Sequence, residues 1–151
     1  MIRELNRDDL PEIKTIIDAT ELFPSSMLDE MVHQFLNDNE AKELWLVLTN
    51  PQPLGVAYVA PEKLTDGTFN LQLIAVHPQQ QGKGFGAELV AEVEKRLRAL
   101  GARILLVETS GVDEFEPPRR FYLKNGYELE GRIRDFYQEG DDKVIFRKSL
   151  A

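Results

Sequence analysis

One stretch, residues 69–109, decides most of what this chain can fold into. It opens with an apolar run over residues 69–76, where Phe69, Leu71, Leu73 and Ala75 alternate with Asn70, Gln72, Ile74 and Val76. A glycine-rich segment follows, and then Phe85, Leu89, Val90, Val93, Leu97 and Leu100 recur at helical spacing. Gly101 offers a stop, and residues 103–109 return to a strand-like run. The apolar period goes from two to 3.6 and back, which reads strand, helix, strand. Such a crossover normally places its two strands parallel and right-handed.

The flanking segments extend this unit into a mixed sheet. Residues 2–5 suit a short first strand. Asp9, three residues before Glu12 and with Pro11 in the first turn, predicts a capping box opening a helix with an apolar face of Leu10, Ile13, Ile16 and Ile17. After the break at Phe23-Pro24, Ser25 or Ser26 is expected to cap a second helix carrying Leu28, Met31, Val32, Phe35 and Leu36. Residues 44–48 and 54–60 read as strands around the turn signal Asn50-Pro51-Gln52-Pro53, and Asp66-Gly67 marks the turn into residues 69–76. Beyond residue 109, Pro117-Pro118 reads as a break. Residues 119–125 read as a short helix stopped by Gly126, and residues 127–133 and 143–150 as strands joined through Gly140-Asp141-Asp142. The order β-α-α-β-β-β-α-β-α-β-β predicts one α/β (α+β) domain over residues 1–151, with a mixed sheet flanked by helices.

Composition narrows the chemistry. The 151 residues contain no cysteine, which removes disulfides, a thiol nucleophile and thiolate metal sites. With only His33 and His77 as histidines, no metal centre is expected. No apolar run approaches the ~20 residues of a membrane span, and the charged start Met1-Ile2-Arg3-Glu4 lacks a signal-peptide core. A cytoplasmic protein with no membrane partner is the expectation. The net charge of −8 gives little of the phosphate attraction that dominates nucleic-acid binding, so no nucleic-acid partner is expected.

The segment Gln81-Gly82-Lys83-Gly84-Phe85-Gly86-Ala87 joins a strand to a helix. Three glycines in five residues let backbone amides approach a ligand closely. The first turn of the following helix adds unpaired N–H groups and the positive end of its dipole, an arrangement suited to phosphate. It is not a P-loop: Gly82-Lys83 is followed by Gly84, and position 77 is His. It is not a dinucleotide fingerprint, since Gly84-Phe85-Gly86 runs into Ala87-Glu88-Leu89. A tight strand-to-helix connection that uses glycine only for its geometry accounts for the loop equally well.

Taken with its surroundings, Ile74-Ala75-Val76-His77-Pro78 and Gln81-Gly82-Lys83-Gly84-Phe85-Gly86 resemble the acetyl-CoA motif of GNAT-type N-acetyltransferases, Arg/Gln-x-x-Gly-x-Gly/Ala, through Gln81, Gly84 and Gly86. Phe121-Tyr122 and Gly126-Tyr127 look like the family's later motif, and Ile2-Arg3 with Asp9 like its first strand and helix. The resemblance covers essentially the whole chain. It implies a sheet whose strands over residues 69–76 and 103–109 splay apart around acetyl-CoA. The pyrophosphate would meet the amides of Gly82, Lys83, Gly84, Phe85, Gly86 and Ala87, and the pantetheine arm would run beside Ile74, Ala75 and Val76. The Asn that many members carry before the Tyr helix has no equivalent in residues 113–118.

The implied reaction is direct attack of a neutral primary amine, on a small molecule or a peptide, upon the thioester. The Val76 backbone amide would meet the oxyanion and Tyr122 would be the general acid. Glu108, ending the strand beside the gap, is the candidate base, with Glu21 or water as alternatives. Tyr122 beside Phe121 also suits plain core packing. Trp45 reads as core, His33 as structural and His77 as a turn residue. Lys83 suits a phosphate contact. Glu139, Asp141 and Asp142 read as a solvent-exposed turn, with attraction of a cationic acceptor as the alternative. A homodimer is compatible with such a fold. A non-catalytic acyl-CoA-binding or regulatory module, or transfer of a longer acyl group, are the competing functions.

Overall fold

The computed structural model describes all 151 residues, Met1–Ala151. Seven strands, β1 (Ile2–Glu4), β2 (Leu44–Thr49), β3 (Pro53–Pro61), β4 (Thr68–Val76), β5 (Ile104–Ser110), β6 (Glu128–Gln138) and β7 (Asp141–Ser149), form a mixed sheet ordered β1-β2-β3-β4-β5-β7-β6. Four α-helices accompany them: α1 (Leu10–Thr20), α2 (Leu28–Asn37), α3 (Phe85–Ala99) and α4 (Glu116–Lys124). The strand–helix–strand unit is as expected, with β4 parallel to β5. The parallel ladder joins only Thr68, Phe69, Asn70 and Leu71 to Ile104, Leu105, Leu106 and Val107. Burial along β4 does not alternate as the sequence suggested: Asn70 and Leu71 are both buried, and Gln72 is exposed.

The chain forms two compact units, each drawn from separate segments. The first holds residues 1–60 and 72–96. Its core joins Ile13, Ile16 and Ile17 of α1 and Leu28 and Val32 of α2 to Trp45, Val47, Val56, Leu73 and Ala75 of the strands. Burying each of the Ile, Leu and Val side chains removes it from water at a gain of roughly 1.5–3 kcal/mol. Trp45 is fully buried, as expected of a core residue, and stacks on Tyr58 with ring centroids 4.1 Å apart. Tyr58 donates to Glu43 Oε2 at 2.5 Å.

Both expected helix caps in this unit are corrected. Asp9 is not the head of a capping box with Glu12; the N-terminus of α1 has no side-chain cap. The cap lies upstream, around a 3₁₀ turn, where Asp8 N–H donates to Asn6 Oδ1 and Asn6 N–H donates to Asp9 Oδ2. Arg3 draws Asp9 there through two 2.8 Å bonds from Nη1 and Nη2. Ser25 and Ser26 do not cap α2 either. They lie in a 3₁₀ turn that begins after Pro24 and feeds the helix directly.

The second unit holds residues 61–71 and 97–151. Its strands β5, β7 and β6 are antiparallel neighbours, with Leu105, Val107, Tyr122, Tyr127, Val144 and Phe146 buried. Pro117-Pro118 does not break the chain but sits in the first turn of α4, where a missing N–H leaves no helical bond unmade. β6 runs on to Gln138, past the expected end, with register irregularities between Leu129 and Gly131 and between Ile133 and Gln138. In the acidic turn Glu139 is exposed, as expected, while Asp141 and Asp142 also brace the hairpin. Asp142 accepts from Arg132 Nη1 at 2.7 Å and from Asp135 N–H at 2.9 Å, and Asp141 accepts from the Ser110 hydroxyl.

Candidate functional site

The loop before α3 has the geometry its glycines suggested. Gly82 and Gly84 have φ of +79° and +85°, where a Cβ is strained, so glycine is required by local sterics. A Cβ built on either residue meets nothing within 4 Å, so the space over both is open. Residues 81–84 are exposed, and Gly84 O accepts from Glu88 N–H at 3.1 Å, closing the first turn of a 15-residue helix. Open glycines ahead of the N-terminal end of a long helix are an arrangement suited to a phosphorylated group.

The rest of the loop sorts by its hydrogen bonds. Gln81 folds back, its Nε2 donating to Val76 O at 3.0 Å, so it braces the strand end. His77 is a turn residue, with Nδ1 accepting from Gln79 N–H at 3.1 Å and its N–H donating to Leu54 O at 2.8 Å. Lys83 is exposed and touches Gln80 Oε1 at 3.1 Å. In the same unit, Ala75 and Val76 are buried and Ile74 is half-buried. Glu21 is exposed and closes α1 in a left-handed conformation, its N–H on Ile17 O.

In the other unit, Tyr122 is 6% exposed, in an aromatic cluster with Phe121, Tyr127 and Phe146 at ring separations of 5.4, 5.9 and 5.7 Å. Burial pushes its phenol up to about 12, because the anion would sit in apolar surroundings. The raised value makes this phenol a weaker acid than an exposed tyrosine. Glu108 stands on β5 opposite Ile145. Its Oε1 is 3.2 Å from Lys143 Nζ, which also lies 3.6 Å from the centroid of the Phe136 ring. Tyr137 packs edge-on against Phe136 at 5.1 Å. Burial first, and then the charges of Glu108 and Asp141, push the Tyr137 phenol upward.

Sequence reasoning missed Lys143, Phe136 and Tyr137. Lys143 meets Glu108, and Phe136 meets Lys143, through the β5–β7 register and the irregularity of β6, for which no local pattern exists. No group of three or more His, Asp or Glu side chains is placed to hold a metal ion. No helix is long and apolar enough to cross a membrane.

Comparison with known proteins bears on the whole arrangement. The profile of the acetyltransferase (GNAT) domain matches residues 40–129. A protein of Desulfovibrio desulfuricans assigned to the GNAT family of acetyltransferases is similar in structure, with a TM-score of 0.93, 30% identity and coverage of 100% of this chain and 99% of that one. An aminoglycoside 6'-N-acetyltransferase solved with coenzyme A shares the fold at a TM-score of 0.84 and 16% identity, over 100% and 97% of the two chains. The ribosomal-protein-S18-alanine N-acetyltransferase of Escherichia coli does so at 0.78 and 19%, over 100% and 94%. Among curated proteins, none matches in sequence.

Proposed function

Since the chain belongs to the GNAT family of acetyltransferases, we propose that it acts as a single domain, residues 1–151, transferring the acetyl group of acetyl-CoA to a primary amine. The observation that carries this reading is the open glycine turn at Gly82 and Gly84 ahead of α3. The amides of residues 82–87 would hold the pyrophosphate, with Lys83 adding charge. The backbone of Ile74, Ala75 and Val76, beyond the end of the parallel ladder, would pair with the pantetheine amides as an added strand does. Gln81 serves by fixing the strand end at Val76. A structural neighbour solved with coenzyme A supports the donor class.

Transfer would be direct, with no cysteine present to form a thiol acyl-enzyme. Glu108 would take the proton of the incoming amine, once Lys143 has left its Oε1. The Val76 amide would donate to the oxyanion, a contact typically worth ~2.7–4 kcal/mol in the transition state. Tyr122 would protonate the departing sulfur. Two neighbours are named for transfer to an aminoglycoside and to the alanine of a ribosomal protein, both amine acceptors, which supports an amine here.

The test is calorimetric titration with acetyl-CoA, beside a folded Gly84→Glu/Gly86→Glu variant. Binding by the wild type that is lost in the variant is the expected result. No binding to folded, CoA-free wild type overturns the reading. Binding without turnover on any amine returns the chain to an acyl-CoA-binding module, and preference for longer acyl-CoAs changes the donor.

A further inference from the structure

Lys143 carries more information than an ordinary surface ion pair. Its ammonium lies 3.2 Å from Glu108 Oε1 and 3.6 Å from the Phe136 ring centroid. The side chain is only 13% exposed, whereas Glu108 is 31% and Phe136 49% exposed. A carboxylate on one side and an aromatic face on another is the chemistry that recognises an ammonium ion. The molecule thus builds an ammonium cage from two strand segments, β5 and β6, and keeps it filled with a lysine from a third, β7. The cage walls are more open to solvent than the guest they hold.

We infer that the Glu108–Phe136 cage is the acceptor subsite, that it selects an unbranched primary alkylammonium, and that Lys143 is the placeholder which the substrate displaces. This rests on the acetyltransferase reading above. The guest already present defines the class: an –NH₃⁺ at the end of a flexible methylene chain. An arylamine, uncharged at neutral pH, offers neither the charge nor the shape. In the reaction, one N–H proton of the bound alkylammonium passes to the Glu108 carboxylate, and the neutral nitrogen attacks the thioester carbon. The C–N bond forms and the C–S bond breaks, with the sulfur taking the Tyr122 proton. The surplus proton on nitrogen then restores Tyr122, and the Glu108 proton leaves to solvent.

Two measurements test this. The first reads the cage without turnover, by calorimetric titration with n-butylammonium. Lys143→Met, of similar length and uncharged, is expected to bind the probe more tightly than wild type, and adding Glu108→Gln is expected to cancel the gain. The second reads KM with acetyl-CoA saturating. For n-butylamine, KM is expected to fall in Lys143→Met, to rise ~30-fold or more in Glu108→Gln and ~3–30-fold in Phe136→Ala. The KM for acetyl-CoA is expected to stay put in Lys143→Met and Phe136→Ala. Circular dichroism melts confirm that each variant is folded. A purely structural Lys143 would lower the melting temperature in Lys143→Met without tightening n-butylammonium, and that result overturns the inference. Turnover of an amine whose KM ignores Lys143, Glu108 and Phe136 also overturns it while leaving the acetyltransferase reading intact. Failure of acetyl-CoA to bind sinks that reading instead.

Discussion

Tyr122 illustrates how burial and chemistry interact at a single side chain. The phenol is pushed up to about 12 by desolvation, against about 10 in the unfolded chain. The folded state therefore favours the protonated form. That stability is fully present below pH 10 and is lost as pH rises from about 10 through 12. Chemical denaturation between pH 9 and 11.5 is expected to show a fall that is shallower in Tyr122→Phe, the full contribution being roughly 2–3 kcal/mol. If Tyr122 is the proton donor, the same variant is expected to lose ~10²–10⁴-fold in turnover at pH 7 with chemistry rate-limiting. Phe retains the aromatic contacts with Tyr127 and Phe146, so stability at pH 7 is expected to change little. A variant with full turnover would leave Tyr122 as packing alone.

Elements are positioned by a few contacts of long reach. Arg3 on β1 fixes the entry to α1 by gripping Asp9 through both oxygens. The Arg3 hydrogen bonds, opposed by partial burial and aided by the Asn6 amide, hold the Asp9 carboxyl below the usual range. Its contribution is present above the unfolded value of about 3.9 and is lost as pH falls through the lower folded value. Asp9→Ala is expected to cost about 1.5–3 kcal/mol or more, read by urea denaturation at pH 7, because both Arg3 bonds and the Asn6 amide bond are lost. The glycine turn is the second such place. At Gly84, φ is +85°, so Gly84→Ala strains the backbone even though the space above is open. A strain of ~1–2 kcal/mol is expected to weaken acetyl-CoA binding more than it lowers thermal stability, measured side by side by calorimetry and melting.

For the molecule as a whole, ligand linkage offers the most direct reading. A protein that binds acetyl-CoA only when folded gains ~2.7 kcal/mol at a hundredfold excess over Kd. For a chain of this length that corresponds to a rise of roughly 5–10 °C in melting temperature. The Gly84→Glu/Gly86→Glu variant is expected to show none. The net charge of −8 belongs to the same scale. It favours a cationic partner at long range, so KM for an alkylammonium acceptor is expected to rise with salt as screening grows.

Local sterics explain why so much was legible in the chain itself. The switch of apolar period over residues 69–109 demands strand, helix and strand wherever it occurs, and the fold follows it. Gly82 and Gly84 are required by φ at their own positions, so the conformation of this loop could be read residue by residue. Asp9 could not. Its spacing serves either end of a capping box, and Arg3, arriving from another element, decided between them. Pro117-Pro118 was misread because proline breaks a helix interior yet suits its first turn, and sequence alone did not say where α4 began. The cage of Glu108, Phe136 and Lys143 was the least legible feature. Glu108 on β5 is distant in the chain from Phe136 and Lys143, which share the β6–β7 hairpin, and a one-residue change of register would turn a side chain to the opposite face. Backbone conformation is written locally. Which charges meet, and what they can hold, is decided only when the strands are paired.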